Sequence, residues 1–315
     1  MNNLMILSPE AGAYADLLAD AKLPELNIMT ACSPEEARGR LADAGILMGL
    51  PAYLADVLDD MPQLQWVQST SAGVNELCVE GLRRDYQLTN VKDVFGPLMS
   101  EYVFAYLLAH ERSMLPLYRD QQQRAWQQWD RYPYRRLSDL TLGVVGLGSI
   151  GQCIAATGAH FGMRVLGVKR NPQPVEHVET VYDPQHLDAF LSQVDYLVLV
   201  LPATAETFHF VDEAFLRRMK PGAILMNVGR GSTVDETALL AALQNGTIKG
   251  AVLDVFEQEP LPQDSPLWSQ SNVMITPHNS ALSFPEHISG IFVDNYLRFI
   301  RGEPLRYRVD FSRGY

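Results

Sequence analysis

The sequence predicts an α/β protein with two doubly wound parallel-sheet domains. Short apolar runs alternate with helical patterns in both halves of the chain, and a glycine-rich turn separates a strand from a helix near the middle. The length of 315 residues is enough for two domains. With 47% hydrophobic and 20% charged residues, the composition is that of a globular chain and excludes a fibrous or disordered one.

The first half of the chain alternates between predicted strands and helices. Its second helix has the best-defined start, because Ser33 and Glu36 form a capping box and Pro34 occupies the first helical position. The predicted strands are Leu4–Leu7, Leu26–Met29, Ile46–Leu50 and Trp66–Val67, and the helices are Ala11–Ala21, Pro34–Ala44 and Ala52–Leu58. This alternation is typical of a parallel sheet.

A long helical stretch from Pro97 to Trp129 follows and suits a connector between domains. The segment after it interleaves aromatic and basic side chains, namely Trp126, Trp129, Arg131, Tyr132, Tyr134, Arg135 and Arg136. Such a pattern could stack on single-stranded nucleic acid in a basic protein. Here an inter-subunit or inter-domain contact and a simple cover for the local core are the two open interpretations.

The charge balance argues against nucleic acid and anionic membranes as partners. The chain has 25 Lys and Arg against 37 Asp and Glu, a formal net charge of −12, whereas phosphate binding needs clustered cations. The apolar runs are too short to span a bilayer, and the N-terminus lacks the basic region of a secretory signal. Cys32, Cys78 and Cys153 form no CxxC pair. We therefore expect a cytoplasmic protein.

The second alternation begins at Thr141 and contains the pattern G-x-G-x-x-G at Gly146, Gly148 and Gly151. The pattern lies between the predicted strand Leu142–Val145 and the predicted helix Gln152–Phe161, which is the order that dinucleotide binding requires. In that arrangement the first glycine permits the turn, the second lets the backbone approach a pyrophosphate, and the third allows close packing of helix on strand. Further strands are predicted at Arg164–Val168, Tyr196–Leu201, Ile224–Val228, Ala251–Val255 and Val273–Thr276.

The end of the strand Arg164–Val168 indicates which dinucleotide is bound. Lys169 and Arg170 stand near the position where an acidic residue would hold the ribose 2′-hydroxyl of NAD. Two cations there would attract a 2′-phosphate instead, so we expect NADP(H) to be preferred and NAD(H) to be possible. The alternative is a pair of solvated cations at a strand end.

Polar segments follow the later strands and should converge at one edge of the sheet. Arg230 could fix an anion, Glu259 could orient an imidazole, and His278 could move a proton. The sequence has no P-loop pattern and no His/Cys cluster with zinc spacing. The other candidate cofactor-binding residues are Ser149, Ile150, Leu201, Pro202, Thr207, Val228, Gly229 and Asp254.

Together these motifs resemble the D-isomer-specific 2-hydroxyacid dehydrogenases. The resemblance covers Leu88 to Pro285 and rests on the motifs Gly146–Gly151, Leu201–Thr207, Asn227–Gly231, Asp254–Pro260 and Thr276–His278. Within the family the chain is most similar to bacterial NADP-dependent glyoxylate/hydroxypyruvate reductases. That similarity rests on Lys169–Arg170, Leu261–Trp268 and Arg313–Tyr315.

The resemblance implies a domain division and a place for the site. Residues 1–100, completed by 285–315, would form a flavodoxin-like substrate domain, and residues 101–284 a Rossmann NAD(P)-binding domain, with the active site in the cleft between them. The loop residues Ala72, Gly73 and Val74 would offer backbone N–H groups to the substrate carboxylate. A homodimer through the nucleotide-binding domains is also implied. Asn75 and Asn279–Ser280 depart from the usual pattern of the family.

The implied reaction is NADPH-dependent reduction of a small 2-keto acid to the 2-hydroxy acid. His278 would be the general acid, and a carboxylate that raises its pKa would be Glu259, with Glu257 as the competing candidate. Arg230 would bind the substrate carboxylate with a planar fork that Lys cannot reproduce. The resemblance gives Asp254 a contact with the nicotinamide carboxamide, and the alternative is an Asp that caps a strand end.

Two other functions remain open on the sequence. One is a non-catalytic NAD(P)-sensing module, which can retain the same residues, and the other is an NAD-dependent 2-hydroxyacid dehydrogenase with a different substrate. Lys169 and Arg170 argue against the second. Turnover distinguishes an enzyme from a sensor.

Overall fold

The computed structural model describes Met1–Gly314, apart from the side chain of Trp129. The predicted roles of the Trp129 ring and of Tyr315 therefore lie outside the described residues. The chain divides into two compact units, which we call unit 1 (residues 1–94 and 283–315) and unit 2 (residues 95–282). Unit 1 is discontinuous in sequence, whereas unit 2 is one continuous segment.

The elements alternate along the chain as the sequence predicts. The α-helices are α1 (Ala11–Asp20), α2 (Pro34–Ala37), α3 (Pro51–Ala55), α4 (Gly96–Glu111), α5 (Met114–Gln122), α6 (Ser149–His160), α7 (Leu187–Leu191), α8 (Glu213–Arg217), α9 (Glu236–Gln244) and α10 (Pro285–Ile300). The strands are β1 (Asn2–Leu7), β2 (Leu26–Ala31), β3 (Ile46–Gly49), β4 (Trp66–Ser69), β5 (Gln87–Thr89), β6 (Thr141–Val145), β7 (Arg164–Val168), β8 (Thr180–Tyr182), β9 (Tyr196–Leu199), β10 (Ile224–Asn227), β11 (Gly250–Leu253) and β12 (Val273–Ile275). Short 3₁₀ turns occur at Leu58–Asp60, Asn75–Leu77, Trp129–Arg131, Leu137–Asp139, Pro184–His186, Gly231–Thr233 and Pro266–Ser269.

Unit 1 is built on a parallel sheet with the strand order β2-β1-β3-β4-β5. Its inner strands β3 and β4 are buried along their whole length, as expected where both faces of a sheet are covered. Helix α10 returns from the far end of the chain to complete this core. Its Phe292 ring stacks on Trp66 with 5.0 Å between centroids, and Asn295 donates a hydrogen bond to Gln68 at 3.2 Å.

Unit 2 is built on a parallel sheet with the strand order β12-β11-β10-β9-β6-β7-β8. Strand β6 therefore lies between β7 and β9. Strands β7 and β8 are added on one side of β6, and the later strands β9 to β12 are added on its other side. Ligands of open parallel sheets bind at the carboxyl ends of the strands beside such a switch. The prediction of two doubly wound α/β domains is confirmed in its sheets and topology.

Three of the predicted helices were wrong in length, and the helix expected at Ala52–Leu58 ends at Ala55. Helix α2 stops at Ala37 rather than Ala44, because Arg38 is extended and Gly39 adopts a positive φ of 82°. Its predicted start is confirmed, since Ser33 Oγ accepts from the Glu36 amide at 3.4 Å. The long stretch after Pro97 is two helices rather than one, because Ser113 adopts the left-handed conformation with φ of 49°.

Two short strands escaped the sequence analysis. Strands β5 and β8 have three residues each, and both lie at an edge of their sheet. A three-residue run is too short to show a clear alternation, so periodicity does not separate it from a loop. Within Met1–Gly314, unit 2 consequently has seven strands where six were predicted.

Candidate active site

The glycine-rich turn connects β6 to α6 and has the geometry of a phosphate cradle. Gly146 has a positive φ of 101°, which only glycine adopts without strain. A Cβ on Gly151 would lie 2.0 Å from the Gly146 carbonyl oxygen, so this close packing of helix on turn requires glycine. A Cβ on Gly148 would meet nothing within 4 Å, which leaves open space above the backbone. The turn therefore fits a pyrophosphate at the amino end of α6, beside Ser149 and Ile150.

The loops after β7 and β9 flank this turn on its two sides. Arg170, which follows β7, forms an ion pair with Glu206 in the loop after β9. Sequence analysis missed Glu206, although it belongs to the Leu201–Thr207 motif. The signal that could have found Glu206 is its negative charge, opposite to that of Arg170, in the loop after β9, because β7 and β9 are the two strands beside β6.

Thr207 holds the loop after β9 in shape. Its hydroxyl donates to the Pro202 carbonyl oxygen at 2.6 Å and accepts from the Thr204 amide at 2.9 Å. The Thr207 side chain is buried, so its hydroxyl forms hydrogen bonds within the loop and not with solvent. Of the other predicted cofactor residues, Leu201 and Pro202 lie in this loop, and Val228 and Gly229 follow β10.

His278 and Glu259 form a hydrogen-bonded pair. Nδ1 of the imidazole lies 2.7 Å from Oε2 of Glu259, and the other carboxylate oxygen accepts from the Phe256 amide at 2.9 Å. The competing carboxylate, Glu257, instead lies 3.1 Å from Nε2 of His209. The two carboxylates therefore pair with different histidines. Glu259 pairs with His278, and Glu257 pairs with His209.

The pair shifts the titration of both partners. The hydrogen bond to Glu259 raises the pKa of His278 above its ordinary value, against an opposing effect of burial. Burial alone would raise the pKa of Glu259, but hydrogen bonds from His278 and from the Phe256 amide lower it. The two side chains are 48% and 35% exposed, so the pair is accessible to a ligand while its geometry is fixed.

Arg230 lies close enough to this pair for its charge to lower the pKa of both members. One of its guanidinium nitrogens donates to the Gly229 carbonyl oxygen at 2.7 Å. Its own carbonyl oxygen accepts from Asn227 Nδ2 at 3.0 Å and from Thr233 Oγ1 at 2.7 Å. The strand end of β10 therefore fixes the backbone that carries this cation.

Asp254 follows β11 and is fully buried. Its Oδ1 accepts from the Thr276 hydroxyl at 2.6 Å and from the Asn279 amide at 2.9 Å, and its Oδ2 accepts from the Ser280 amide at 3.0 Å. Its backbone oxygen also accepts from the His278 amide at 2.8 Å. Asp254 therefore organises the turn that carries the histidine, a function that the sequence did not indicate. The nicotinamide contact remains a prediction.

The predicted substrate loop lies in unit 1, directly after β4. Asn90 Nδ2 donates to the Ala72 carbonyl oxygen at 2.7 Å, and Ser69 Oγ accepts from the Ser71 amide at 2.9 Å. Val74 is buried and anchors the end of the loop, whereas Ala72 and Gly73 are half-buried. Substrate binding by these backbone amides remains a prediction.

Two negative findings apply to the described part of the chain. Between Met1 and Gly314, no cluster of three or more His, Cys, Asp or Glu side chains could hold a metal ion. Over the same residues, no helix has the length and apolar character needed to cross a membrane.

Comparison with known proteins identifies the family. A family model described as "D-isomer specific 2-hydroxyacid dehydrogenase, NAD binding domain" matches residues 104–280. The chain belongs to the D-isomer specific 2-hydroxyacid dehydrogenase family. This finding confirms the resemblance that the sequence motifs indicated. The matched NAD binding domain, residues 104–280, lies within unit 2.

Three relatives show how far the similarity extends. Glyoxylate/hydroxypyruvate reductase B of Yersinia pestis is 35% identical over 254 residues, which are 78% of each chain. A family member from Aeromonas salmonicida has a crystal structure with a TM-score of 0.94 and 51% identity, covering 98% of this chain and 99% of that one. The NADPH-dependent glyoxylate/hydroxypyruvate reductase of Sinorhizobium meliloti, solved with NADP and sulfate, has a TM-score of 0.89 and 27% identity with full coverage of both chains.

Proposed function

We propose that this protein reduces a small 2-keto acid of the glyoxylate or hydroxypyruvate type to the 2-hydroxy acid, with NADPH as the preferred reductant and NADH as a possible one. The observation that carries the proposal is the His278–Glu259 pair, with Arg230 beside it, in a chain of this family. The names of the relatives from Yersinia pestis and Sinorhizobium meliloti support the substrate class.

In this reaction His278 acts as the general acid. Its Nδ1 donates to Glu259, which leaves Nε2 as the nitrogen that gives a proton to the keto oxygen. The raised pKa of His278, caused mainly by its hydrogen bond to Glu259, favours the protonated ring that this transfer requires. The nicotinamide cofactor, when bound, supplies the hydride that adds to the keto carbon. One hydride and one proton are then taken up for each 2-hydroxy acid formed.

Arg230 binds the substrate in this proposal. A guanidinium presents parallel N–H groups that match a carboxylate, and it keeps its charge at every relevant pH. Its proximity to His278 brings the substrate carboxylate and the proton donor together. The same positive charge stabilises the negative charge that develops on the keto oxygen.

The cofactor assignment rests on two features of unit 2. The turn at Gly146–Gly151 has the cradle geometry that a pyrophosphate needs, and Lys169 and Arg170 follow the adjacent strand β7. A 2′-phosphate carries two negative charges that these cations would attract, and the ribose hydroxyl of NADH offers none. The relative from Sinorhizobium meliloti, whose structure was solved with NADP, supports this choice.

We also infer that the protein forms a homodimer through helix α5 and the segment that follows it. Among its described residues, α5 has no buried side chain, although it is a regular helix of nine residues. A helix with apolar side chains and no buried face indicates a partner surface. Trp126 is 99% exposed in the same region. The exposed apolar side chains are Met114, Leu115, Leu117, Tyr118, Trp126 and Tyr134.

The decisive experiment is the initial rate of NADPH oxidation, and separately of NADH oxidation, with glyoxylate, hydroxypyruvate and pyruvate. We expect turnover with glyoxylate or hydroxypyruvate and a higher kcat/KM for NADPH than for NADH. Binding of NADPH without turnover of any of the three acids would contradict the substrate assignment and favour a sensing module or an enzyme with a different substrate. Turnover with a clear preference for NADH would contradict the cofactor assignment alone.

A further inference from the structure

The ion pair between Arg170 and Glu206 has a specific place in unit 2. Arg170 follows β7 and Glu206 lies in the loop after β9, and these two strands are the immediate neighbours of β6. The glycine-rich turn Gly146–Gly151 follows β6 itself. The pair therefore joins the loops on the two sides of this turn, at the carboxyl edge of the sheet.

The ion pair contributes little to the packing of the unit. The side chains of Arg170 and Glu206 are 59% and 70% exposed, and exposed ion pairs add little to folding stability. The backbone that carries Glu206 is nevertheless fixed, because the buried hydroxyl of Thr207 ties the loop at Pro202 and Thr204. The fixed backbone thus keeps the Glu206 carboxylate within reach of Arg170.

A carboxylate and a phosphate compete for the same guanidinium. Both bind it through parallel N–H groups, and their negative charges repel each other. A ribose 2′-hydroxyl carries no charge, and it can donate a hydrogen bond to a carboxylate. Glu206 therefore opposes a 2′-phosphate at Arg170 but does not oppose a 2′-hydroxyl.

We propose that Glu206 is a specificity-determining residue, which limits the preference for NADPH that Lys169 and Arg170 create and keeps NADH usable. This inference rests on the proposed function, in which these two cations receive the 2′-phosphate. It assigns to the loop after β9 an influence on the choice between the two cofactors.

The test compares dissociation constants of NADPH and NADH for the wild type and for Glu206→Gln, measured by calorimetry without a keto acid. We expect the variant to bind NADPH about two- to fivefold more tightly, the range that an exposed ion pair supports. NADH should bind equally well or more weakly. A merely structural change in the loop would move both constants in the same direction.

Glu179→Gln is a matched control. Glu179 also forms an exposed ion pair with an arginine of β7, but its partner, Arg164, begins the strand at the opposite end. We expect this variant to leave both dissociation constants unchanged. If it tightens NADPH binding as much as Glu206→Gln does, the effect comes from net charge and the proposal is overturned.

Arg170→Ala separates the failure of this inference from the failure of the proposed function. If the wild type does not prefer NADPH, and if Arg170→Ala binds NADPH as tightly as the wild type does, the cofactor assignment itself is wrong. If Arg170→Ala weakens NADPH binding but Glu206→Gln leaves the preference for NADPH over NADH unchanged or reduces it, the assignment stands and the role of Glu206 is overturned.

Discussion

The hydroxyl of Thr276 donates a hydrogen bond to the buried Oδ1 atom of Asp254 at 2.6 Å. Because that hydroxyl has one proton, the phenol of Tyr102, 2.6 Å away, must donate to Thr276 rather than accept from it. The Asp254 carboxylate also accepts from the amides of Asn279 and Ser280. Donors on both sides of His278 thus converge on one buried side chain, and they hold the histidine at a positive φ of 52°.

Thr276→Val removes this hydroxyl while keeping the shape of the side chain. We expect kcat to fall about tenfold, because the turn that positions His278 loses one of its anchors, and the free energy of unfolding to fall by about 1–2 kcal/mol. Steady-state kinetics and urea denaturation measure the two effects. Thr276→Ser, which keeps the donor, should restore kcat. A loss of stability with an unchanged kcat would show that the hydroxyl does not position the histidine.

His278→Gln tests the general acid. Glutamine has a similar length but donates no titratable proton, so kcat should fall by roughly 10²–10⁴ with the circular dichroism spectrum unchanged. The matched control is His209→Gln, since His209 also pairs with a glutamate, at 3.1 Å from Glu257. That control should keep near wild-type turnover. Retained turnover in a folded His278→Gln protein would remove the residue from the mechanism.

Glu259→Gln should change the pH dependence of the reduction. Reduction requires a protonated His278, so kcat/KM falls as the pH rises through the pKa of this histidine. Glu259 raises that pKa above its ordinary value of 6.5, and Arg230 lowers it. Without the carboxylate the pKa falls, and the alkaline limb of the kcat/KM profile should move to lower pH. Measurement between about pH 5 and pH 9 shows the shift.

The control for this profile is Glu257→Gln, which removes a carboxylate two residues away that pairs with His209. Its alkaline limb should stay in place. If both variants shift the limb equally, the general loss of negative charge explains the effect, and Glu259 has no special relation to His278.

Much of this architecture could be predicted from the chain alone. Strands such as Leu4–Leu7 and Ile224–Val228 are buried on both faces, so their continuous apolar runs are easy to recognise in the sequence. The order of strand, glycine-rich turn and helix at Gly146 indicates dinucleotide binding. The Ser33 cap was also readable, because it depends on contacts only three residues apart.

The remaining features depend on contacts that are distant in sequence. The pairing of Arg170 with Glu206 spans 36 positions, and the choice between Glu257 and Glu259 depends on how one turn faces another. The break at Ser113 escaped because a left-handed residue of ordinary type leaves no mark in a hydrophobic pattern. Local spacing contains none of this information.

Glu111, at the end of α4, should contribute strongly to the stability of unit 2. Its nearly buried carboxylate accepts hydrogen bonds from Arg135 and, at 2.7 Å, from the Tyr196 hydroxyl. Glu111→Gln should therefore lower the free energy of unfolding by about 1–3 kcal/mol at pH 7, measured by urea denaturation. The exposed Glu179→Gln variant, whose ion pair lies in solvent, should leave stability nearly unchanged.

The same network predicts the acid sensitivity of the fold. Burial alone would raise the pKa of Glu111, but the nearby His110 imidazole and hydrogen bonds from Arg135 and Tyr196 bring it well below its ordinary value of 4.5. A lowered pKa in the folded state gives stability that is present above pH 4.5 and is lost as the pH falls toward the folded pKa. The wild type should lose stability on acidification more steeply than Glu111→Gln. Equal slopes would contradict this assignment.

Leu117→Asp tests the proposed dimer. Leu117 is an exposed apolar residue of α5, so a charge there should disrupt a contact between two copies without disturbing the monomer. Light scattering should give twice the monomer mass for the wild type and a smaller mass for the variant. Val79→Asp, at an exposed apolar position in unit 1, should remain dimeric. A monomeric wild type at assay concentration would refute the proposal.

The discontinuity of unit 1 has a consequence for biosynthesis. The face of its sheet that contains Trp66 is completed by Phe292 of α10, which the ribosome makes only after the whole of unit 2. At ~5–20 residues per second, the nascent chain carries that uncovered apolar face for roughly 10–40 s. Unit 2 can close its own core during that interval, whereas unit 1 must wait. The nascent N-terminal segment therefore exposes apolar surface throughout the synthesis of unit 2.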